Sequence, residues 1–487
     1  MVFSSLLFVY AFLPICLLLY GLARNIKAKN IILLVFSLIF YSWGEPVYVL
    51  LLLLMTFSDW ILALLIEKNE GRTAIRKLLL VVTCIVNLGC IGFFKYTGFL
   101  CENLQNIFGI PQSIPYIALP IGISFYTFQL LSYVIDVYRN EVPAQKNFFW
   151  LLLYSSLFHQ CIAGPIIRYS DVQKEILHRK TKLYEVSNGI TRFAIGLAKK
   201  SLLANTCGSL SDTLLVSDAL INSATNTALT ELSSRSAVGL WFGVLFYMLQ
   251  IYLDFSAYSD MAIGMGLMVG FHFKENFNYP YTAKSVTDFW RRWHISLSSF
   301  FRDYVYIPLG GNRKGTLKTY RNIFVVWLLT GLWHGASWNF VLWGLFFCLF
   351  LVVEKLFLLK ALNRIPSVFS RAYLLIIVFF GWILFRFSDF QFIPVVLKGM
   401  FSLNGNEFLD FETKTLISGN IFFIAIAIIS VTPLLKNIAS KLTPSKENSP
   451  YSVIYNIMGT LFPIALLLLS TLPLVGDSYN PFLYFQF

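Results

Sequence analysis

One feature limits what this chain can become more than any other: long, nearly uncharged apolar runs that keep returning. Examples are "VFSSLLFVYAFLPICLLLYGL" at 2–22, "VYVLLLLLMTFSDWILALLI" at 47–66 and "IFFIAIAIISVTPLL" at 421–435. As helices rising about 1.5 Å per residue, runs of this kind reach across a hydrocarbon core of about 30 Å. No water is available there to satisfy the backbone, so a helix is the natural spanning form. The runs recur along all 487 residues. They predict an all-α polytopic integral membrane protein. Only 13% of the residues are charged, against about 25% in ordinary soluble domains. The first run lacks a basic leader, and no small-residue cleavage site precedes "ARNIKAKN", so it reads as a membrane segment and not a cleaved signal.

The formal charge of +13 raises the question of nucleic acid. Its placement answers against that partner. Lys and Arg gather in short stretches between apolar runs, at 24–29, 68–77, 168–182, 302–321, 355–371 and 436–446. Cytoplasmic loops look like this under the positive-inside rule. The Ser/Thr/Asn-rich stretch 206–234, which lacks basic residues, then falls outside, as does the tail after about residue 473. The seven cysteines are scattered with no C-x-x-C, so neither a disulfide framework nor a metal site is expected.

About fourteen apolar segments can be counted. Segments 31–43, 256–270 and 286–300 are short, and 148–163 ends in the polar "HQCIAGP", as a re-entrant piece would. The expectation is a bundle of about 11–14 transmembrane helices with re-entrant segments, forming a single membrane-embedded domain over 1–487. No internal repeat is evident.

Ionisable residues inside apolar segments are costly and mark functional sites by default. Of five histidines, His178 lies in a charged loop, His272 at a helix end, and His159 at the tip of the re-entrant piece; all three read as structural. His334 differs. It sits in "LLTGLWHGASWNFVLWG", with no charged residue from Asn322 to Val353. Gly331 and Gly335, four apart, permit close helix approach. Trp333, Trp338 and Ser337 flank it, with Asn339 just beyond. Burial in such surroundings keeps an imidazole neutral. The ring is then either a satisfied core residue or a general base.

The stretch "DFWRRWHISLSSFFRDYVYIPLGGNR" at 288–313 carries Asp288, Arg291, Arg292, Trp293, His294, Arg302 and Arg313. On a helix Asp288 can pair with either neighbouring arginine. The structural alternative is an ordinary cytoplasmic helix end. Interleaving of the charges with Trp, Phe and Tyr favours a cation-lined funnel for an anionic group, because guanidinium binds phosphate through paired hydrogen bonds. "YLDFSAYSDMAIGMG" places Asp254 and Asp260 nearly inside the membrane, where they could partner those arginines and fix the fold. Tyr126, Gln129 and Asp136 interrupt the run at 120–139 as a packed polar network.

Together these stretches resemble the membrane-bound O-acyltransferase family, in its bacterial alginate O-acetyltransferase branch. The resemblance rests on "DFWRRWHISLSSFFRDYVYIPLGGNR" followed by "GLWHGASWNFVLWG". It extends to "PIGISFYTFQLLSYVIDVYR", "AGPIIRYSDV", "DFSAYSDMAIGMG" and the terminal "YFQF". It is strongest over about 115–345, weaker over the helices at 1–100 and 371–473. One departure is Ala257, where glycine is expected.

What the resemblance implies is as follows. The fold is a helix bundle around a central tunnel. His334 is the catalytic histidine, and His294 a second histidine on the cytosolic side. The donor is acetyl-CoA, a substrate rather than a bound cofactor, its phosphates met by Arg291, Arg292, Arg302 and Arg313 with Trp293. Asp288, Trp333, Ser337, Asn339, Asp254 and Asp260 support the site. The acetyl group passes to hydroxyls of an exported polysaccharide, directly or through an extracytoplasmic partner transferase. No G-x-S-x-G elbow exists to do the partner's work in cis. The location is a bacterial cytoplasmic membrane. Alternatives are D-alanyl transfer to teichoic acid from a carrier protein, and a non-enzymatic transporter of a lipid-linked glycan.

Overall fold

The computed structural model describes residues 1–109, 117–161, 164–442, 450–476 and 479–481. Residues 162–163 of the expected re-entrant piece and the terminal "YFQF" lie outside the described residues. Every regular element among the described residues is helical. Among the described residues, seven helices are long and apolar enough to cross a membrane, or eight if the bent pair Phe411–Gly419 and Ile421–Ser430 is one span.

The chain is thus an all-α, multi-pass membrane protein. Its count of long apolar helices is lower than the 11–14 expected, for local reasons. Segment 256–270, expected as a short separate piece, is part of one continuous helix, Ala237–Met268, of 32 residues. Other segments form helices too short to pass, such as Ile123–Tyr138 and Phe148–Ser156. Segment 31–43, expected to be short, lies within the 19-residue helix Ile26–Gly44, which Asn25 caps by accepting from the Ala28 amide at 2.8 Å.

The chain divides into two compact units. One comprises 1–193, 258–276 and 299–304; the other comprises 194–257, 277–298 and 305–487. In the first, several polar groups are paired inside the bundle. Asn87 donates to both Asp59 oxygens at 2.9 Å. Tyr304 donates to Asp136 at 2.7 Å. Arg192 pairs with Asp260 at 3.0 Å and also with Glu275, so Asp260 is engaged there and not by Arg291 or Arg292. A Cβ on Gly264 would lie 2.7 Å from the Gly189 carbonyl, which shows how closely two helices approach.

In the second unit the stretch expected as an exposed loop at 206–234 is built from three helices, Asn205–Leu215, Asp218–Ser223 and Thr225–Ser234. They pack through Leu215, Ala228 and Leu232 on Leu240, Ile383, Phe392 and Val396. Asp254 pairs with Lys200 at 2.8 Å, each 1% exposed, so it too is taken by a partner other than Arg291 or Arg292.

Candidate active site

The second unit contains both singled-out histidines. Segment 286–300, expected as one short span, is two seven-residue helices, Val286–Arg292 and Ile295–Phe301. Ser285 starts the first by accepting from the Asp288 amide at 3.0 Å. The break falls at Trp293–His294, where His294 adopts φ +44°. A left-handed backbone at a non-glycine residue costs about 1–3 kcal/mol and is held only where the surroundings over-determine it. Here the surroundings are aromatic. The His294 ring lies 4.6 Å from Phe255 and 5.8 Å from Trp333, and Ser296 Oγ is 3.4 Å from its Nδ1.

Arg292 pairs with Asp288 at 3.0 Å, one of the two pairings the sequence allows, and Arg291 is exposed. Trp293 is buried: it stacks on Phe289 at 5.5 Å and meets Trp382 at 5.0 Å. Its ring therefore anchors this segment to the core. The turn after it is also pinned. Asn322, buried, donates to the Gly311 carbonyl at 2.9 Å, which ties the turn to the helix Thr316–His334 and leaves Arg313 and Lys314 exposed beside it. Arg302 belongs to the other unit, where Asp303 engages its guanidinium at 2.6 and 3.0 Å. Burial raises the Asp303 carboxyl, but hydrogen bonds from Arg302 and Arg168 outweigh it and hold the group below its ordinary value.

His334 is the last residue of Thr316–His334. The next helix, Trp338–Val353, packs back against it with almost no space between. A Cβ on Gly331 would sit 2.4 Å from the Phe340 carbonyl, and one on Gly344 would sit 2.4 Å from the Trp327 carbonyl. Glycine at both positions is what permits the approach. The His334 ring, 3% exposed, rests among Trp333 at 5.0 Å, Trp343 at 4.9 Å and Phe385 at 5.3 Å. Trp333 thus touches both histidines. Ser337 precedes the second helix and caps it with no side-chain bond. Asn339, fully buried, donates Nδ2 to the Leu384 carbonyl at 3.2 Å.

Next to His334 opens a cavity of about 600 Å³. Asn339, Phe340, Phe385, Asp212, Asp218, Arg386 and Tyr479 are among its lining residues. The Arg386 guanidinium pairs with Asp218, meets Asp212 at 3.1 Å, and donates to the Val216 carbonyl at 3.0 Å. Tyr479 donates to the second Asp212 oxygen at 2.8 Å.

Residues 138–393 match the profile of MBOAT, the membrane-bound O-acyltransferase family. The probable alginate O-acetylase AlgI of Pseudomonas putida is 38% identical, with 100% of both chains covered. The chain belongs to the membrane-bound O-acyltransferase family. It is therefore an acyltransferase. The peptidoglycan O-acetyltransferase of Helicobacter pylori is 31% identical over 100% of this chain and 98% of that one. The teichoic acid D-alanyltransferase of Bacillus subtilis is 26% identical over 56% of this chain and 68% of that one.

Within this acyltransferase, His294, His334, Trp333, Ser337, Asn339 and the arginines at 291, 292 and 313 all belong to the second unit, where ring contacts join His294, Trp333 and His334. That unit does not include Arg302 or Asp260. The sequence reading missed the cavity residues Asp212, Asp218, Arg386 and Tyr479, and it missed Glu354. The signal for Glu354 was present: a lone carboxylate at the end of the apolar run "FCLFLVV".

Proposed function

We propose that this chain is an O-acetyltransferase of a bacterial cytoplasmic membrane. It takes an acetyl group from cytosolic acetyl-CoA and passes it to a hydroxyl on the outer side, for modification of an exported polysaccharide, directly or through an extracytoplasmic partner transferase. The relatives named for alginate and peptidoglycan O-acetylation support the acetyl group and the polymer class.

The observation that carries the reading is the position of the His334 ring, buried between Trp333, which reaches His294, and Phe385, which lines the cavity. The helices Thr316–His334 and Ser367–Arg386 both start in basic stretches; the first ends at His334, whose ring meets Phe385 of the cavity lining, and the second ends at Arg386 in that lining. Under the positive-inside rule their starts are cytosolic and the cavity faces outward. Arg291, Arg292 and Arg313 supply cations for the donor's phosphates on the inner side.

In the reaction, His334 accepts the proton of the acceptor hydroxyl as its oxygen attacks the thioester carbonyl. A C–O bond forms, the C–S bond breaks, and the imidazolium returns the proton to the departing CoA thiolate. General-base assistance of this type contributes about 10²–10⁴-fold. Trp and Ser donors near the ring could steady the oxyanion. His294 orients the donor.

The test is purified protein in nanodiscs with radiolabelled acetyl-CoA, scored for CoA release and label transfer. His334→Ala should lose most transfer while remaining inserted and folded. Wild-type rates in that variant would overturn its role. Preference for a D-alanyl carrier protein over acetyl-CoA would overturn the donor.

A further inference from the structure

In the second unit, the helix Leu434–Leu442 buries none of its residues against the rest of the protein. It starts after Pro433, whose carbonyl accepts from the Asn437 amide at 2.9 Å. Thr-Pro returns in the sequence at 443–444, a common stop just past a helix end. At about 100° per residue, Leu434, Ile438 and Leu435 fall within an arc of about 100°. Asn437 and Ser440 lie across from that arc, and Lys436 and Lys441 stand at its two flanks. The three apolar side chains are 48, 47 and 55% exposed, so no other part of the chain covers the stripe. Hydrocarbon all round would strand two lysines, and water all round would strand three large apolar groups. The boundary between the two satisfies both sides.

We propose that Leu434–Leu442 is a docking surface for anionic phospholipid. It lies along the cytosolic face of the bilayer, with Leu434, Leu435 and Ile438 among the acyl chains, about 5–10 Å into the headgroup boundary, and with Lys436 and Lys441 on lipid phosphates. Its place in the chain argues for lipid as the occupant. The preceding helix, Ile421–Ser430, exposes Phe422 and Ile426, and the following span, Ile454–Gly476, exposes Ile457 and Leu461, so the apolar stripe stands between two elements that already face the membrane. The basic stretch at 436–446 sets this turn on the cytosolic side. Charge argues for an anionic headgroup. No Asp or Glu occurs between Glu412 and Glu447, so the two lysines have no carboxylate nearby in sequence, and each flanks the stripe where a long side chain reaches up from apolar surface to phosphate. The inference uses no assignment of His334, and its failure would leave the proposed reaction untouched.

The experiment is photo-crosslinking of the full-length protein in nanodiscs of mixed phosphatidylcholine and phosphatidylglycerol. A benzophenone amino acid replaces Ile438 in one protein and Ser440, on the opposite side, in another, and intact mass identifies what is attached. Position 438 should carry phospholipid adducts several-fold more often than position 440. Phosphatidylglycerol should exceed its share of the bilayer among those adducts by about two- to fivefold. Lys436→Gln combined with Lys441→Gln should return it to that share while the adducts themselves persist, since the apolar stripe is intact. Both lysines are exposed, so the fold does not depend on them. Crosslinks from position 438 to a second copy, to another protein or to another segment of this chain overturn the proposal, as do equal adducts at both positions or none at all. Absence of phosphatidylglycerol enrichment, or enrichment that survives loss of both lysines, overturns the choice of an anionic headgroup.

Discussion

Glu354 accepts hydrogen bonds from both the amide and the hydroxyl of Thr287, at 2.8 and 2.6 Å. Its other oxygen accepts from the Val286 amide at 2.6 Å and from the Tyr373 hydroxyl at 3.2 Å. A single carboxylate, 1% exposed, therefore closes the start of the helix that ends in Arg291 and Arg292. The negative charge also suits the positive end of that helix. Glu354 directly follows the helix Trp338–Val353, whose first turn carries Asn339 at the cavity wall. One residue thus links the frame of the arginines to the frame of His334.

Glu354→Gln should consequently disturb donor binding. The amide keeps one acceptor and turns the other into a donor facing a donor, leaving a buried N–H unsatisfied at a cost of about 1–3 kcal/mol. The expected result is a KM for acetyl-CoA raised about tenfold with a smaller change in kcat. Thr287→Val, which loses only the hydroxyl, should act in the same direction and more weakly. Steady-state kinetics in nanodiscs check both. A fall in kcat alone would mean that Glu354 supports His334 rather than the arginines.

Glycine at the hairpin of Thr316–His334 and Trp338–Val353 gives a stability test. Gly331→Ala and Gly344→Ala each place a methyl group 2.4 Å from backbone oxygen, so one helix must move. Overpacking of this kind costs about 1–3 kcal/mol. Both variants should lower the unfolding temperature and reduce transfer by displacing His334. Gly459→Ala, with nothing within 4 Å of the new methyl, should leave both unchanged or slightly improve stability.

Parts of this site were legible in the sequence for a simple reason. A histidine in an apolar run stands out because its cost demands an explanation, and Gly331 four residues before Gly335 signals close approach. Arg292 with Asp288 is a local i,i+4 pair and follows from spacing alone. The cavity could not be read this way. Asp212, Arg386 and Tyr479 stand far apart in the chain, and only the packing of several helices brings them together. The same limit explains Asp254 and Asp260. Their partners, Lys200 and Arg192, are no more conspicuous in sequence than the arginines beside His294. Apolar runs reveal membrane residence but not helix count, since nothing in hydropathy separates two spans from one helix such as Ala237–Met268.

Acid should act through Asp303. Its carboxyl is held below its ordinary value despite partial burial, because Arg302 and Arg168 hydrogen-bond to it. A depressed carboxylate contributes stability that is fully present above its unfolded pKa of about 4 and is lost as pH falls through the lower folded value. Thermal unfolding followed from pH 6 down to about 3 should therefore show a loss in the wild type below about pH 4. Asp303→Asn should be less stable at neutral pH and lose less on acidification. An equal acid response in both proteins would assign the effect to other groups.

The indole of Trp333 meets both His294 and His334, with its ring 5.8 Å from the first and 5.0 Å from the second. It is 6% exposed, so its volume and not only its chemistry sets where the two imidazoles sit. Trp333→Phe keeps an aromatic face but is smaller, and lets His334 shift toward the space left behind. Misplacement of a reacting group by about 1 Å can cost about 10²-fold in rate. Turnover should fall by about tenfold or more, while the KM for acetyl-CoA changes little, because the arginines are held separately by Asp288 and Glu354. Trp333→Ala should lower turnover further and also the unfolding temperature, since removing a buried tryptophan costs about 3–5 kcal/mol. Comparing kcat with KM in Trp333→Phe decides the matter. A raised KM with unchanged kcat would place this ring in donor binding, and the geometry around His334 would then owe its precision to Trp343 and Phe385 instead.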